Sequence, residues 1–532
     1  MDVTSDFYYR DVLLLGYEDE ENLGLRYIAA YLEENGVSVG IIPLQHLNND
    51  ELLKIVSLIN PKLIGFSMIF QRMLPDFSDM INFLRINDVK CHITMGGHFP
   101  TIEYEKTLQL IPGLDSVVRH EGELTLLELY RHLDKSEFWW KVSGLAFRDD
   151  GRIRKTMPRP LIQDLDRLPF PLRSDRIQNI RGLGFSTIIS SRGCFHDCSF
   201  CSIKEFYSEA PGPKRRTRSP ENVVKEMKKL FDAGTRIFIF KDDDFSMIGP
   251  SRQRWICRFV NNLADTQLAN KILWRISSRI DEVDADMMEL LNSAGLSYIY
   301  LGIESGNSQG LNTCNKHYTV EDVYKAINIF ERLEINFEYG FMMLDPDSTI
   351  TSVKQNISFL RRLCQGGRAA VNFTKMVPYA GTSIACKLQK GGRLEGSIAA
   401  PDYRYNDPRV DILEKFVIRA FYRMLFNSEG IANRLQFAKF DAVIMEMFLS
   451  DQYDTKLYAN EVRRLTKLCN DSTLNSLEQA ADFMECRCPE EIYRDWSELG
   501  KLADQARSMQ SAISLKLDDL IPNESIVFRN TS

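Results

Sequence analysis

The chain has 532 residues, of which 44% are hydrophobic, 26% charged and 11% aromatic, a composition that excludes a disordered or fibrous protein and asks for two or three cores. A net charge of -7 argues against a protein whose main work is neutralising phosphate backbones, so nucleic acid is not an expected partner. The start, MDVTSDFYYRDVLLLG, does not read as a signal peptide, and no apolar stretch approaches the roughly 20 residues of a membrane span.

In chain order, VLLLG (12–16), VSVGII (37–42), LIGFS (63–67), HITMGG (92–97) and SVVR (116–119) are short, near-continuous apolar runs, as in strands buried on both faces. Helical patterns separate them; Leu25, Ile28, Ala29 and Leu32 recur at helical spacing and stop at Gly36. The alternation predicts a doubly wound, Rossmann-like parallel sheet over residues 1–150, with ligands at the carboxyl ends of its strands. Four prolines between 158 and 171 mark residues 151–180 as a linker. A second βα series follows at 185–191, 236–241, 273–277, 298–303, 337–343 and 370–376, with Ser219-Pro220-Glu221 opening one helix. Six strands are too few for a closed barrel, so residues 181–390 are expected to form an open (β/α)6 partial barrel. Residues 391–532 read as a helical C-terminal domain.

The cytoplasm is the expected compartment for the eleven cysteines, where metal binding or catalysis is a better assignment than disulfides. Eight of them are scattered and read as packing thiols, with Cys486-Arg487-Cys488 the only pair of interest. The other three, Cys194, Cys198 and Cys201, lie in SSRGCFHDCSFC (190–201), directly after the first strand of the second series. A closed zinc site wants four ligands and no second knuckle is nearby, whereas three thiolates suit a [4Fe–4S] cluster with one iron left open. A chance cluster or a fragment of a zinc site is the alternative.

SRGCFHDCSFC resembles the signature of the radical S-adenosylmethionine (SAM) superfamily, in which SAM chelates the fourth iron and an aromatic residue, here Phe200, packs on the adenine. Other strand ends carry the same resemblance. Asp242 and Asp243 stand where the family binds the SAM ammonium, Arg275 and Ser277 end the third strand, and Glu304 with Ser305 lie in a GIESG turn near ribose and methionine. Pro378-Tyr379-Ala380-Gly381-Thr382 is similar to a PYPGT-type loop with alanine for its second proline, and places Tyr379 as a candidate on the substrate side.

In the N-terminal segment, Asp19, Glu21, Asn22 and Gly24, then Ser67, Met68 and Ile69, then Gly96 and Gly97 resemble the cobalamin pattern D-x-H-x-x-G, S-x-L, G-G. Glu21 replaces the histidine that would be cobalt's lower ligand, and a carboxylate is a harder donor, so base-off cobalamin with a weakly held lower face is expected. Arg119-His120-Glu121-Gly122-Glu123 is similar to an RGEGE-type turn of these paired domains, with His120 for the first glycine, and brings Glu121 and Gly122 into the cobalamin set. The whole resembles the cobalamin-binding (class B) radical SAM enzymes over roughly residues 10–390. The resemblance implies three cofactors, a [4Fe–4S] cluster, SAM and cobalamin, with an external flavodoxin- or ferredoxin-type electron donor and a small-molecule or peptide substrate. It implies a methyltransferase acting on an unactivated carbon of a natural-product, lipid or peptide intermediate. Radical cyclisation, ring contraction or oxidation without methyl transfer is the alternative, and a cluster used only as a sensor a third.

Overall fold

β1 (Val12–Gly16) is buried at all five positions, as a strand flanked on both edges and covered on both faces must be. It pairs in parallel with β2 (Val39–Pro43) on one side and β3 (Leu63–Ser67) on the other. β4 (His92–Gly96) and β5 (Ser116–Val118) extend the parallel sheet, and β6 (Leu145–Asp149) and β7 (Arg152–Lys155) close it antiparallel, in the order 2-1-3-4-5-6-7. The chain winds to one side for β2 and to the other for β3, so the switch point where such sheets bind ligands lies at the carboxyl ends of β1 and β3. The computed structural model describes residues 10–18, 21–134, 138–174 and 178–520.

Local chemistry sets the first helix. Asn22 caps Leu23–Glu34, accepting from the Leu25 amide at 3.2 Å, and Leu25, Ala29 and Leu32 turn inward. β6 and β7 form a hairpin about Asp150 (φ 46°) and Gly151 (φ 75°), so the segment expected as linker begins with a strand.

The second sheet runs β16-β15-β14-β13-β12-β9-β8. β9 (Leu183–Ile188), β12 (Thr235–Phe240), β13 (Leu273–Arg279), β14 (Leu296–Glu304), β15 (Asn336–Leu344) and β16 (Thr374–Lys375) are parallel in sequential order, the expected six strands of an open (β/α)6 partial barrel. β8 (Gln178–Ile180) adds an antiparallel edge that the linker reading missed. Of two short two-stranded pairs, β10 (Ser191–Arg192) with β11 (Arg216–Thr217) brackets the cysteine loop.

The chain divides into two compact units, residues 1–176, 191–219 and 378–402 in one and 177–190, 220–377 and 403–532 in the other. This grouping cuts across the expected boundaries: the cysteine loop and the PYAGT turn belong to the first unit, and the C-terminal helices to the second. Phe440 and Ile444 of helix Ile431–Phe448 share one cluster with Phe185, Ile237, Ile239, Leu273 and Tyr298. Arg181 and Asp441, each about 4% exposed, join the β8–β9 turn to the same helix at 2.5 Å, and the Tyr458 hydroxyl donates to Asp441 at 3.0 Å. No helix among the described residues is long and apolar enough to cross a membrane.

Candidate functional site

In the first unit, a narrow cavity of about 60 Å³ opens at the β1/β3 switch point. Leu14, Gly65 and Thr94 lie deepest along their strands, while Ser67, Gly96, Gly97, His120 and Gly122 line its strand-end side. Its walls are cut close. A Cβ on Gly122 would lie 2.7 Å from Ile28 Cδ1 and one on Gly65 3.0 Å from Leu14 Cδ2. Gly97 has φ 109°, and a Cβ there would lie 2.2 Å from the Met68 carbonyl oxygen, so only glycine lets the β4 loop pass the β3 loop. A mostly apolar slot with a few hydroxyls, at the switch point of a parallel sheet, fits the flat nucleotide tail of base-off cobalamin.

The cobalamin-pattern residues divide by what they touch. Ser67, Gly96, Gly97 and Gly122 line the cavity. Ile69 is 40% exposed at the end of β3, but Met68 is fully buried and its amide donates to Gly96 O at 2.9 Å, so it holds the loop rather than facing a ligand. Asn22 caps its helix and its own amide donates to Glu18 at 3.0 Å. A Cβ on Gly24 would meet only Asn22 Oδ1, at 3.3 Å. Glu21 forms an ion pair with Arg173, both largely buried. Asp19 lies outside the described residues.

Glu121 is committed elsewhere. It accepts from Arg192 Nη1 at 3.0 Å, from Arg216 Nη1 at 2.8 Å and from the Ile162 amide at 2.8 Å, and Glu123 takes Arg192 Nη2 at 2.7 Å. The acidic turn therefore clamps β10 and β11, the two strands that carry the cysteine loop, through Glu121 and Glu123. Burial raises the Glu121 pKa, but the Arg192 and Arg216 guanidinium groups outweigh it and hold the carboxyl below its usual value.

The loop itself starts at Gly193, φ 86°, where a Cβ would collide with the Lys214 carbonyl oxygen at 1.8 Å. Cys194, Cys198 and Cys201 are all half-buried, and the Cys201 amide donates to Cys198 O at 3.2 Å before helix Ser202–Ser208 begins. Phe200 is half-buried too, and Phe195 is 72% exposed. The contrast with the other cysteines is chemical. Burial raises Cys364 and Cys469 to about 12 and Cys91 to about 11, which keeps them as inert thiols, and Cys486 and Cys488 are simply exposed. Three accessible soft donors on one loop fit a cluster with one open iron.

The PYAGT turn anchors this loop. The Ile384 amide and the Ser383 hydroxyl both donate to Ser199 O, at 3.0 and 3.1 Å, while the Ala380 amide donates to Gln71 Oε1 at 2.7 Å. Tyr379 is half-buried with its ring 5.7 Å from that of Phe70, in the loop after β3, and burial raises its phenol pKa. His98, directly after the glycine pair, reaches Ser202 Oγ at 3.3 Å and packs 4.5 Å from the Phe206 ring; burial lowers it to about 4, so it is a neutral imidazole. His98, Gln71, Arg192 and Glu123 were absent from the sequence-derived site, although Arg192 sits in the cysteine signature itself.

In the second unit, Asp242, Asp243, Glu304 and Ser305 lie at the carboxyl ends of their barrel strands, whereas β13 runs on to Arg279 and leaves Arg275 and Ser277 within the strand instead of at its end. Asp242 accepts from the Ser190 amide at 3.0 Å and hydroxyl at 2.7 Å, tying β9 to β12, while Asp243 is exposed. Arg275 pairs with Glu338 at 2.6 Å, and Ser277 O accepts from the Phe245 amide at 2.8 Å. Glu304 adopts φ 65° and takes Lys316 Nζ at 3.1 Å. Ser305 is turned inward, 1% exposed, with its hydroxyl on Asn356 Oδ1 at 3.3 Å, so its side chain shapes the turn.

Comparison with known proteins agrees with both sets of motifs. A B12 binding domain model matches residues 9–130 and a Radical SAM superfamily model matches residues 188–360. An uncharacterized methyltransferase of Pyrococcus horikoshii is 29% identical over 368 residues, 68% of this chain and 77% of that protein. The anaerobic magnesium-protoporphyrin IX monomethyl ester cyclase of Cereibacter sphaeroides is 30% identical over 268 residues, 48% of this chain and 42% of the cyclase. The solved cobalamin-dependent SAM radical enzyme OxsB, with aqua-cobalamin and SAM bound, shares the fold at a TM-score of 0.68 and 16% identity, covering 96% of this chain and 80% of that one.

Proposed function

The chain belongs to the cobalamin-binding radical SAM enzymes, and within that family we propose that it is a methyltransferase acting on an unactivated carbon of a natural-product, lipid or peptide intermediate. Bound to the chain, the reduced cluster and SAM supply a carbon-centred radical chemistry and the corrinoid supplies a methyl carrier. The residues do the rest. Cys194, Cys198 and Cys201 offer three thiolates, Gly193 and the Ser199 carbonyl fix the loop's path, and Glu121 with Glu123 fix Arg192 behind it. Gly96, Gly97 and Gly122 keep the tail cavity open, and its apolar walls keep water scarce.

The observation that favours methyl transfer is at Glu21. The position where the resembling pattern has histidine is a carboxylate ion-paired with Arg173, so a corrinoid held here would find at residue 21 no imidazole and a side chain already engaged, which would suit its use as a methyl carrier. The Pyrococcus relative, named a methyltransferase, matches across both halves of the chain. The cyclase relative supports the second reading, a radical rearrangement or oxidation without methyl transfer. Feeding SAM labelled in its methyl group separates the two. Label in the product supports transfer; unlabelled product formed alongside 5'-deoxyadenosine rejects it.

A further inference from the structure

His120 occupies the turn after β5 where the resembling motif has glycine, and it pays a backbone cost to be there, with φ 64°. Its amide donates to Thr101 Oγ1 at 3.0 Å. Its Nδ1 lies 2.6 Å from the Phe206 carbonyl oxygen. A carbonyl can only accept, so the ring proton sits on Nδ1 and Nε2 carries the lone pair. Burial lowers the imidazole pKa, the Phe206 carbonyl opposes this, and the nearby Arg119 charge adds to the lowering, so the ring is neutral near pH 7. The residue is 6% exposed, and Nε2 has no hydrogen-bond partner among the described residues. A buried acceptor without a donor is uncommon and calls for one from outside. The same residue lines the cavity at the β1/β3 switch point, beside Gly97 and Gly122 at the strand-end side.

We propose that His120 Nε2 accepts a hydrogen bond from a ribose hydroxyl of the corrinoid's nucleotide tail as that tail enters the cavity. The assignment rests on cobalamin being the ligand of this unit. Within the nucleotide, the phosphate and the benzimidazole nitrogens offer no proton at neutral pH, whereas the ribose does; the linker amide also carries one, but cobinamide keeps that amide, so the comparison below separates the two. Hydrophobic walls deeper in, at Leu14, Leu25 and Leu126, suit the flat base.

The test compares two ligands that differ only below the corrin: cobalamin, and cobinamide, which lacks the nucleotide tail. Two variants are titrated as full-length chains, followed by corrin absorbance. His120→Asn tolerates the left-handed backbone and keeps a donor for Phe206 but has no atom at the Nε2 position; His120→Gly restores the motif's glycine and decides the matter where the first variant does not fold. Both variants are expected to bind cobalamin about three- to tenfold more weakly, with cobinamide affinity unchanged. Unaltered cobalamin affinity would overturn the proposal, as would an equal loss for both ligands, which would place the contact on the corrin rim. A wild-type chain that binds neither ligand would remove the corrinoid itself, a distinct failure that also ends the proposal.

Discussion

Replacing Glu121 by alanine tests the link between the two cofactor-bearing parts of the first unit. The carboxylate takes three donors within 3.0 Å, two of them guanidinium groups. Without it Arg192 keeps Glu123, but Arg216, its side chain 3% exposed, keeps the Ile162 carbonyl and no carboxylate among the described residues. Breaking a buried pair in this way costs about 3–5 kcal/mol, a large share of the ~5–15 kcal/mol that holds a typical domain. Glu121→Gln retains the shape and one acceptor oxygen and is expected to lose less, about 1.5–3 kcal/mol. The loss falls on β10 and β11, so iron bound after anaerobic reconstitution should drop together with the urea midpoint. The pH dependence follows from the depressed pKa: the pair's contribution is complete above the usual carboxyl value of 4.5 and is lost as pH falls through the lower folded-state value. Alanine at 121 leaving stability within about 1 kcal/mol of wild type and iron content intact would refute the clamp.

Three further outcomes are expected. Single Cys194→Ala, Cys198→Ala and Cys201→Ala chains should each lose the cluster's visible absorbance, whereas Cys386→Ala, an exposed cysteine elsewhere, should keep it. Gly97→Ala, which sets a Cβ 2.2 Å from Met68 O at φ 109°, should weaken corrinoid binding more than tenfold by displacing the cavity's rim, measured by the same corrin titration, an effect of about 1.4 kcal/mol or more. Asp441→Ala should destabilise the second unit by about 3–5 kcal/mol in urea denaturation, because Arg181 and Tyr458 both lose their buried partner.

Much of this architecture is legible because the strongest signals are local. VLLLG, short and apolar throughout, reads as a strand covered on both faces, and C-x3-C-x2-C after a strand needs no tertiary information to be noticed. The β6–β7 hairpin is equally local, an Asp-Gly between two short strands, but the four prolines that follow it are the louder signal and spell a linker. Other features have no local spelling. Nothing near Glu121 announces that its partners are Arg192 and Arg216, far along the chain, so its acidic turn read as a cofactor contact. Helix Ile431–Phe448 buries Asp441 and Lys439 as well as Phe440 and Ile444, and that pattern says the helix is enclosed without saying that the barrel strands enclose it. Ser305 and Asn22 carry the expected motif letter, and the structure adds what no letter spells, a side chain bonded across a turn in one and capping a helix in the other.

The central claim is that one chain carries an incomplete iron–sulfur cube on Cys194, Cys198 and Cys201 and a corrinoid at the β1/β3 switch point. Anaerobic purification and reconstitution, with iron, sulfide, zinc and corrin assayed on the same sample, measures it directly. The account predicts about four iron and four sulfide with about one corrinoid per chain. Zinc at the three thiols, or a chain that takes up the cluster but no corrinoid, would contradict it.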